Sequence, residues 1–257
     1  MQKEENKFCD SSLFEGMVSI RAVLPAAKDG TNDRKIKRIF YAKERLKKIA
    51  KEVAYLRHEG ERSGFVVEET DMETLSAMTL GTSHGGLVAE CTDRTIPHLQ
   101  ADALPEKGFF VMLEGIEDPY NFGYALRSLY ALGVDGVVLP ERNWMSAAGV
   151  VARASAGASE QFTMYTASPE EATALFHARG YTVVCADADT DTALEHTALS
   201  YPIFLIVGGE KRGISAALKK QADVTVKISY GRPFHGALSA ASAATILAYE
   251  IAKQNRP

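Results

Sequence analysis

From Phe109 onward the chain repeats one pattern. FFVMLEG, VDGVVLP, QFTMYTA, YTVVCADA, PIFLIVGG and VTVKIS are short apolar runs, each followed by glycine, proline or polar residues. Runs of this length and composition read as strands buried on both faces. Between them lie helical patterns: NFGYALRSLYAL stopped by Gly133, MSAAGVVARASA, and SPEEATALFHARG. The last carries a complete set of end signals, with Ser168 as N-cap, Pro169 at the first helical position, Glu171 closing a capping box and Gly180 at the end. Strands that alternate with helices at this spacing imply an α/β fold with a parallel sheet covered on both faces. Ligands bind such sheets beyond the carboxyl ends of the strands, so the loops after strands are where chemistry is expected.

The chain before Phe109 has a different character. Between Arg34 and Arg62, cations outnumber anions by a wide margin. Inside that stretch RKIKRIFYA reads as a strand, and KERLKKIAKEVAYLR places Leu46, Ile49, Val53 and Leu56 on one helical face with lysines on the others. GFVVE, a helix DMETLSAM opened by Asp71, and HGGLVAEC complete a small α/β domain over residues 1–100. The proline-bearing TIPHLQADALPEKG marks the boundary, with a linker at 101–108 and the second domain at 109–257. Arg34, Lys35, Lys37, Arg38, Lys43, Lys47, Lys48 and Lys51 are either a phosphate-contacting surface or a solvated face. The net charge of −4 makes no global case for a nucleic-acid partner, so the local distribution decides. Three widely spaced cysteines suggest neither a disulfide framework nor a thiolate zinc site. The N-terminus lacks the apolar core of a signal peptide, and no run is long and apolar enough to cross a membrane. A soluble, cytoplasmic protein is expected.

Three loops carry the informative residues. In LEGIEDPYNFGYALRSL, Asp118-Pro119 turns the chain, Asn121 begins a helix, and Arg127 follows within its second turn. In IVGGEKRGIS, Gly208 and Gly213 have the separation of a phosphate loop, but Ile214 stands where that loop needs lysine. No GxGxxG fingerprint and no histidine ligand spacing is present, which leaves glycines that expose backbone groups to a small ligand, with Glu210 as a polar anchor. The third loop, ISYGRPFHGALSAASAATILAYE, runs from Arg232 and His235 into a helix of Ala and Ser so small-faced that a neighbour must approach closely.

In this order and spacing the three loops resemble the SpoU/TrmH family of S-adenosyl-L-methionine (AdoMet)-dependent RNA ribose 2′-O-methyltransferases, in the SPOUT superfamily. The first motif is matched by Asp118-Pro119, Asn121, Gly123, Arg127 and Gly133, then by Arg153, Ser155, Ala156 and Gly157. Gly208, Glu210, Arg212, Gly213 and Ser215 match the second. The third departs from the family pattern. Ser229 and Tyr230 replace a Pro-Met pair, the loop is longer, and Ala237-Leu238-Ser239 stands for a Ser-Leu-Asn triplet.

The resemblance implies a trefoil-knotted SPOUT domain, a homodimer built through it, and AdoMet against Gly208, Gly209, Glu210, Ile228, Tyr230, Gly231, Ala237, Leu238 and Ser239. It implies a catalytic group of Arg127, Asn121 and Glu210, with Arg127 activating the ribose hydroxyl. His235 is an addition of this loop that can act as a base near neutral pH. The stretch Ser83-His84-Gly85-Gly86-Leu87-Val88-Ala89 is similar to the ribosomal-protein-like RNA-binding domain that precedes the methyltransferase domain in many members, and this favours RNA contact for the basic segment. The appended domain favours ribosomal RNA over transfer RNA. A catalytically altered AdoMet- or RNA-binding protein and a tRNA or base methyltransferase of the same fold are the alternatives.

Overall fold

The computed structural model of the chain describes residues 13–79, 84–140, 147–209, 213–234 and 236–256. In chain order, β1 (Leu13–Glu15), α1 (Gly16–Asp29), β2 (Ile36–Ala42), α2 (Leu46–Ser63), β3 (Val66–Thr70), α3 (Met72–Met78) and β4 (Leu87–Cys91) come first. They are followed by β5 (Phe109–Glu114), α4 (Pro119–Ala131), β6 (Gly136–Leu139), α5 (Ala148–Ala154), α6 (Ala158–Gln161) and β7 (Met164–Thr166). The chain then forms α7 (Pro169–Ala178), β8 (Thr182–Ala186), β9 (Ile203–Gly208), α8 (Ala216–Lys219), β10 (Val224–Val226) and α9 (Ala240–Gln254). These elements group into two compact units, one of Met1–Thr95 with Asn143–Gln161 and one of Ile96–Arg142 with Phe162–Pro257.

In the second unit each of the six apolar runs is a strand of one parallel sheet, in the order β10-β8-β9-β5-β6-β7. The chain runs outward from β5 to β7, returns to lay down β8 on the other side, and inserts β9 between β8 and β5. All six residues of β5 and of β9 are buried except the last of each, as expected of central strands covered on both faces. Phe176 of α7 stacks on Phe204 of β9 with ring centroids 3.9 Å apart, and this pair anchors the core with Phe110 and Tyr181. The end signals of α7 act as read: the Ser168 hydroxyl accepts from the Glu171 amide at 3.2 Å, and Gly180 takes φ of 77°.

Two boundaries differ from the sequence reading. Residues 96–100, assigned to the first domain, and 101–108, assigned to a linker, both belong to the second unit. Leu99 and Leu104 are buried in its core, the Leu99 amide donates to the Thr166 carbonyl at 2.9 Å, and the Tyr181 hydroxyl donates to the Pro105 carbonyl at 2.8 Å. The prolines of this stretch signalled a connector and drew attention away from its two leucines. The second difference is that α5 and α6, read as part of the methyltransferase domain, pack within the first unit.

That first unit holds a mixed sheet ordered β1-β4-β2-β3, in which only β2 and β3 are parallel. Its core gathers Phe14, Ile20, Val23, Ile39, Leu56 and Leu87, together with Ala148 and Ala152 of α5. Gly149 is required there, because a Cβ at that position would collide with the Leu13 carbonyl of β1. A buried polar network holds the following turn: Arg34 Nε donates to Glu160 at 2.9 Å, Arg34 Nη1 to the Thr92 carbonyl at 2.7 Å, and Asn32 to the Glu160 carbonyl at 2.6 Å.

Candidate active site

The carboxyl ends of β8, β9 and β10 open onto a cavity of about 310 Å³ within the second unit. That volume lies at the small end of the range for small-molecule sites, roughly 300–1,000 Å³. Each strand contributes its last residues and those that follow: Ala186 to Asp189 at the end of β8, Val207 to Gly209 at the end of β9, and Val226 to Ile228 at the end of β10. Tyr230, Ala237 and Leu238 of the next loop and Ala240, Ala243 and Leu247 of α9 close the far side. The small residues of α9 therefore serve two surfaces at once. Ala243 faces the cavity, and the helix also packs against α4.

Glycines shape the floor. A Cβ on Gly208 would lie 2.5 Å from the Gly213 carbonyl carbon, and one on Gly209 would meet the Gly115 carbonyl. The Gly213 amide donates to the Gly209 carbonyl at 2.9 Å, and Gly213 takes φ of 57°, a left-handed conformation that suits glycine. Only side-chain-free residues let the strand end and the returning chain approach this closely.

The charged groups of the cavity lie in positions that the loop reading did not single out. Lys219 of α8 pairs with Asp187 at 2.6 Å, and Asp189 and Lys227 also line the wall. These carboxylates can take ligand hydroxyl or ammonium protons, and the lysines can take a carboxylate. The signal that could have found Asp187, Asp189 and Lys227 is the parallel-sheet rule itself, which points to the residues after every strand and not only to those after glycine, whereas Lys219 on α8 follows no strand. Cys185 of β8 is fully buried, and burial pushes its thiol pKa up to about 12. No group of His, Cys, Asp and Glu among the described residues has the arrangement of a metal site.

Of the expected cofactor contacts, Gly208, Gly209, Ile228, Tyr230, Ala237 and Leu238 line the cavity. Gly231 is exposed and outside the lining. Ser239 is outside it too and serves as the N-cap of α9, accepting from the Ser242 amide at 3.2 Å. Glu210 and Arg212, like Ser83 and His235, lie outside the described residues. Of the expected catalytic group, Asn121 and Arg127 both sit on α4 and neither lines the cavity. The cap of α4 is Asp118, whose carboxylate accepts from the Asn121 amide at 2.8 Å, so Asn121 is the third residue of the helix and not its cap. Arg127 is exposed, on a surface shared with Tyr120 and Tyr124.

In the first unit, Lys35 just before β2 and Lys37, Arg38, Lys43, Lys47, Lys48 and Lys51 on β2, α2 and the turn between them are exposed. Arg38 and Lys37 share Glu90, at 2.6 and 3.8 Å, while the other five make no ion pair among the described residues. Arg34 must be removed from the phosphate-contact set. It is 2% exposed and spent on Glu160, so its guanidinium cannot reach a solvent-borne phosphate. His84 is wholly buried, its Nδ1 accepts from the Gly86 amide at 3.1 Å, and desolvation holds it below the usual imidazole range.

The SpoU rRNA Methylase family matches residues 108–249, more than half of the chain. The chain belongs to this SpoU/TrmH family of RNA methyltransferases. It is 28% identical over 260 residues to a protein of Bacillus subtilis (strain 168) named YacO, a TrmH family tRNA/rRNA methyltransferase, covering 96% of this chain and 98% of that one. It also matches longer mycobacterial relatives, spanning 64% of the length of one from Mycobacterium ulcerans (strain Agy99). In fold it is similar to a solved RNA 2′-O ribose methyltransferase, with a TM-score of 0.76, 20% identity and coverage of 97% and 92% of the two chains. A second likeness is to the SpoU methyltransferase AviRb from Streptomyces viridochromogenes in complex with AdoMet, with a TM-score of 0.73, 22% identity and coverage of 95% and 91%. As in those α/β folds, the SpoU methylase region here is a parallel sheet.

The SpoU family is AdoMet-dependent, and the cavity suits that cofactor on its own evidence. A floor of glycines offers backbone groups to a ligand, an apolar wall runs from Val207 to Leu247, and charges of both signs face a molecule that itself carries both. The departure in the third SpoU motif falls on two positions of different kinds. Ala237 lines the cavity and Ser239 caps the helix beneath it.

Proposed function

We propose that this SpoU methylase transfers the AdoMet methyl group to a ribose 2′-hydroxyl of ribosomal RNA. The observation that carries the reading is the single cavity formed by three consecutive strand ends of the parallel sheet, with glycines where backbone must meet ligand. The cofactor supplies an electrophilic methyl on a positively charged sulfur. Gly208, Gly209, Ile228, Tyr230, Ala237 and Leu238 would hold it, with Asp187 and Lys227 on its polar atoms. Arg127 orients the ribose and a neighbouring phosphate through its planar fork of donors, a task lysine cannot copy. Asn121 and Glu210 belong to the same polar group in this reading.

Arg127 does not line the cavity of its own chain. A homodimer through α4 and α9, whose exposed faces carry Tyr120, Tyr124, Ile246 and Tyr249, is the assembly that brings it to a donor site. The trefoil knot of the SPOUT fold and a cytoplasmic setting complete this reading. The exposed lysines of β2 and α2 grip the RNA backbone, and each phosphate contact adds about 0.7–0.9 to the slope of log affinity against log salt.

The test is chemical. Purified protein is incubated with AdoMet and either ribosomal or transfer RNA, and the RNA is digested and its nucleosides weighed. A 2′-O-methylnucleoside from ribosomal RNA is expected, and Arg127→Ala should lower its yield about a hundredfold or more with AdoMet affinity retained. A methylated base would overturn the ribose assignment, and a product from transfer RNA alone would overturn the substrate. The loss of two polar side chains from the third motif supports a second reading, a binding protein without turnover, which AdoMet binding with no product of either kind would establish.

A further inference from the structure

The loop between β10 and α9 leaves two large aromatic rings in water beside the cavity. Tyr230 is 40% exposed although it lines the cavity, and Phe234 is 59% exposed. Aromatic area left in solvent forgoes the burial that gives such residues their place in cores, so a pair of them at the mouth of a site calls for an occupant.

The two rings are held in place. Their centroids are 5.9 Å apart with planes at 59°. The tip of the Phe234 ring lies so close to Gly236 that a Cβ there would be 2.6 Å from Cζ, and the Leu238 amide donates to the Tyr230 hydroxyl at 3.4 Å. The tilt rules out a sandwich between the rings but leaves ring faces available for stacking. Charge supports the same occupant. Arg232 lies between the two aromatics in the chain, exposed and without an ion pair among the described residues, and Lys227 lines the cavity at the start of the loop. Aromatic faces combined with unpaired cations are the chemistry by which proteins take up single-stranded nucleic acid, one stacking base at a time.

We propose that Tyr230 and Phe234 form a stacking platform for an unpaired RNA base at the rim of the donor cavity, with Arg232 on the adjoining phosphate. The platform selects unpaired over paired substrate and is tolerant of which base it receives, because every base has a π face and stacking covers both faces of every base inside a duplex. It rests on the proposed RNA methyl transfer and assigns that reaction a single-stranded or looped target.

The experiment uses the full chain and a fluorescein-labelled RNA, single-stranded or annealed to its complement, with affinity read by anisotropy and AdoMet affinity read by calorimetry. Phe234→Ala should weaken single-strand binding by about tenfold, within the range of one lost base stack, and leave duplex binding and AdoMet affinity as they were. Phe234→Trp, which keeps an aromatic face, should bind single strands as the unaltered protein does, and Gly236→Ala, which displaces the ring, should behave like Phe234→Ala. If Phe234→Ala binds single strands as the unaltered protein does, the platform is overturned while the methyl-transfer reading stands. A change of sedimentation with unchanged RNA affinity would make the pair an interface between copies and overturn it equally. Failure of the unaltered protein to bind either AdoMet or RNA would remove the reading on which the platform rests.

Discussion

Arg34 and Lys35 are neighbours in a basic run and have opposite fates. One side chain is inside, paired with Glu160, and the other is in solvent. Removing one partner of a buried ion pair strands the other, at a cost of about 3–5 kcal/mol. Arg34→Ala should therefore lower the stability of the first unit by about that much in a denaturant titration, whereas Lys35→Ala should stay within about 0.5 kcal/mol. Equal, small effects would show that the network is dispensable. His84 supplies a pH dependence. Its folded-state value lies below the ordinary one of about 6.5, so as pH falls below about 6.5 the unfolded chain takes up a proton that the folded chain refuses, and stability declines. His84→Asn keeps an acceptor near the Gly86 amide but does not titrate. The drop in melting temperature between pH 7.5 and 5.5 should be smaller in this variant than in the unaltered protein, and an equal drop would assign the effect to other groups.

At the scale of elements, α9 tests the division between packing and binding within a single turn. Ala244 is fully buried and Ala243 faces the cavity. Ala244→Leu should cost about 1–3 kcal/mol by overpacking. Ala243→Leu should leave the melting temperature nearly unchanged but abolish its rise on adding AdoMet, and a preserved rise would displace the cofactor from this cavity. The strands of the parallel sheet were legible because a strand buried on both faces has no choice but to be a continuous apolar run. The helix ends were legible because Ser168, Asp71 and Gly180 act on their own neighbours. What α5 packs against was not legible. Its apolar residues announce burial, but the partner is β1, more than a hundred residues earlier, and nothing local encodes that choice. The same holds for the site. The glycine loop identified Gly208 and Gly209, while Asp187 and Lys219 become site residues only once β8 and α8 are set beside β9.

For the whole molecule, the separation of Arg127 from the cavity of its own chain makes the proposed dimer testable by mixing. Arg127→Ala and Ala243→Leu chains, each inactive alone, should regain about a quarter of the unaltered rate when co-expressed in equal amounts, because half of the dimers then hold one intact site. No recovery would mean that Arg127 serves its own cavity or that the copies do not pair. The division of the chain into two units also has a consequence for its synthesis. The first unit needs residues up to Gln161, among them the carboxylate that neutralises Arg34, yet its first portion ends at Thr95. At translation rates of about 5–20 residues per second, the 66 residues between those points take roughly 3–13 s. Throughout that interval a nascent chain carries α1 and β1 without the helices that cover them and a guanidinium without its partner. The half of this protein that is begun first is therefore left incomplete while β5, α4 and β6 of the other half are synthesised, and it can close only when Gln161 has followed them.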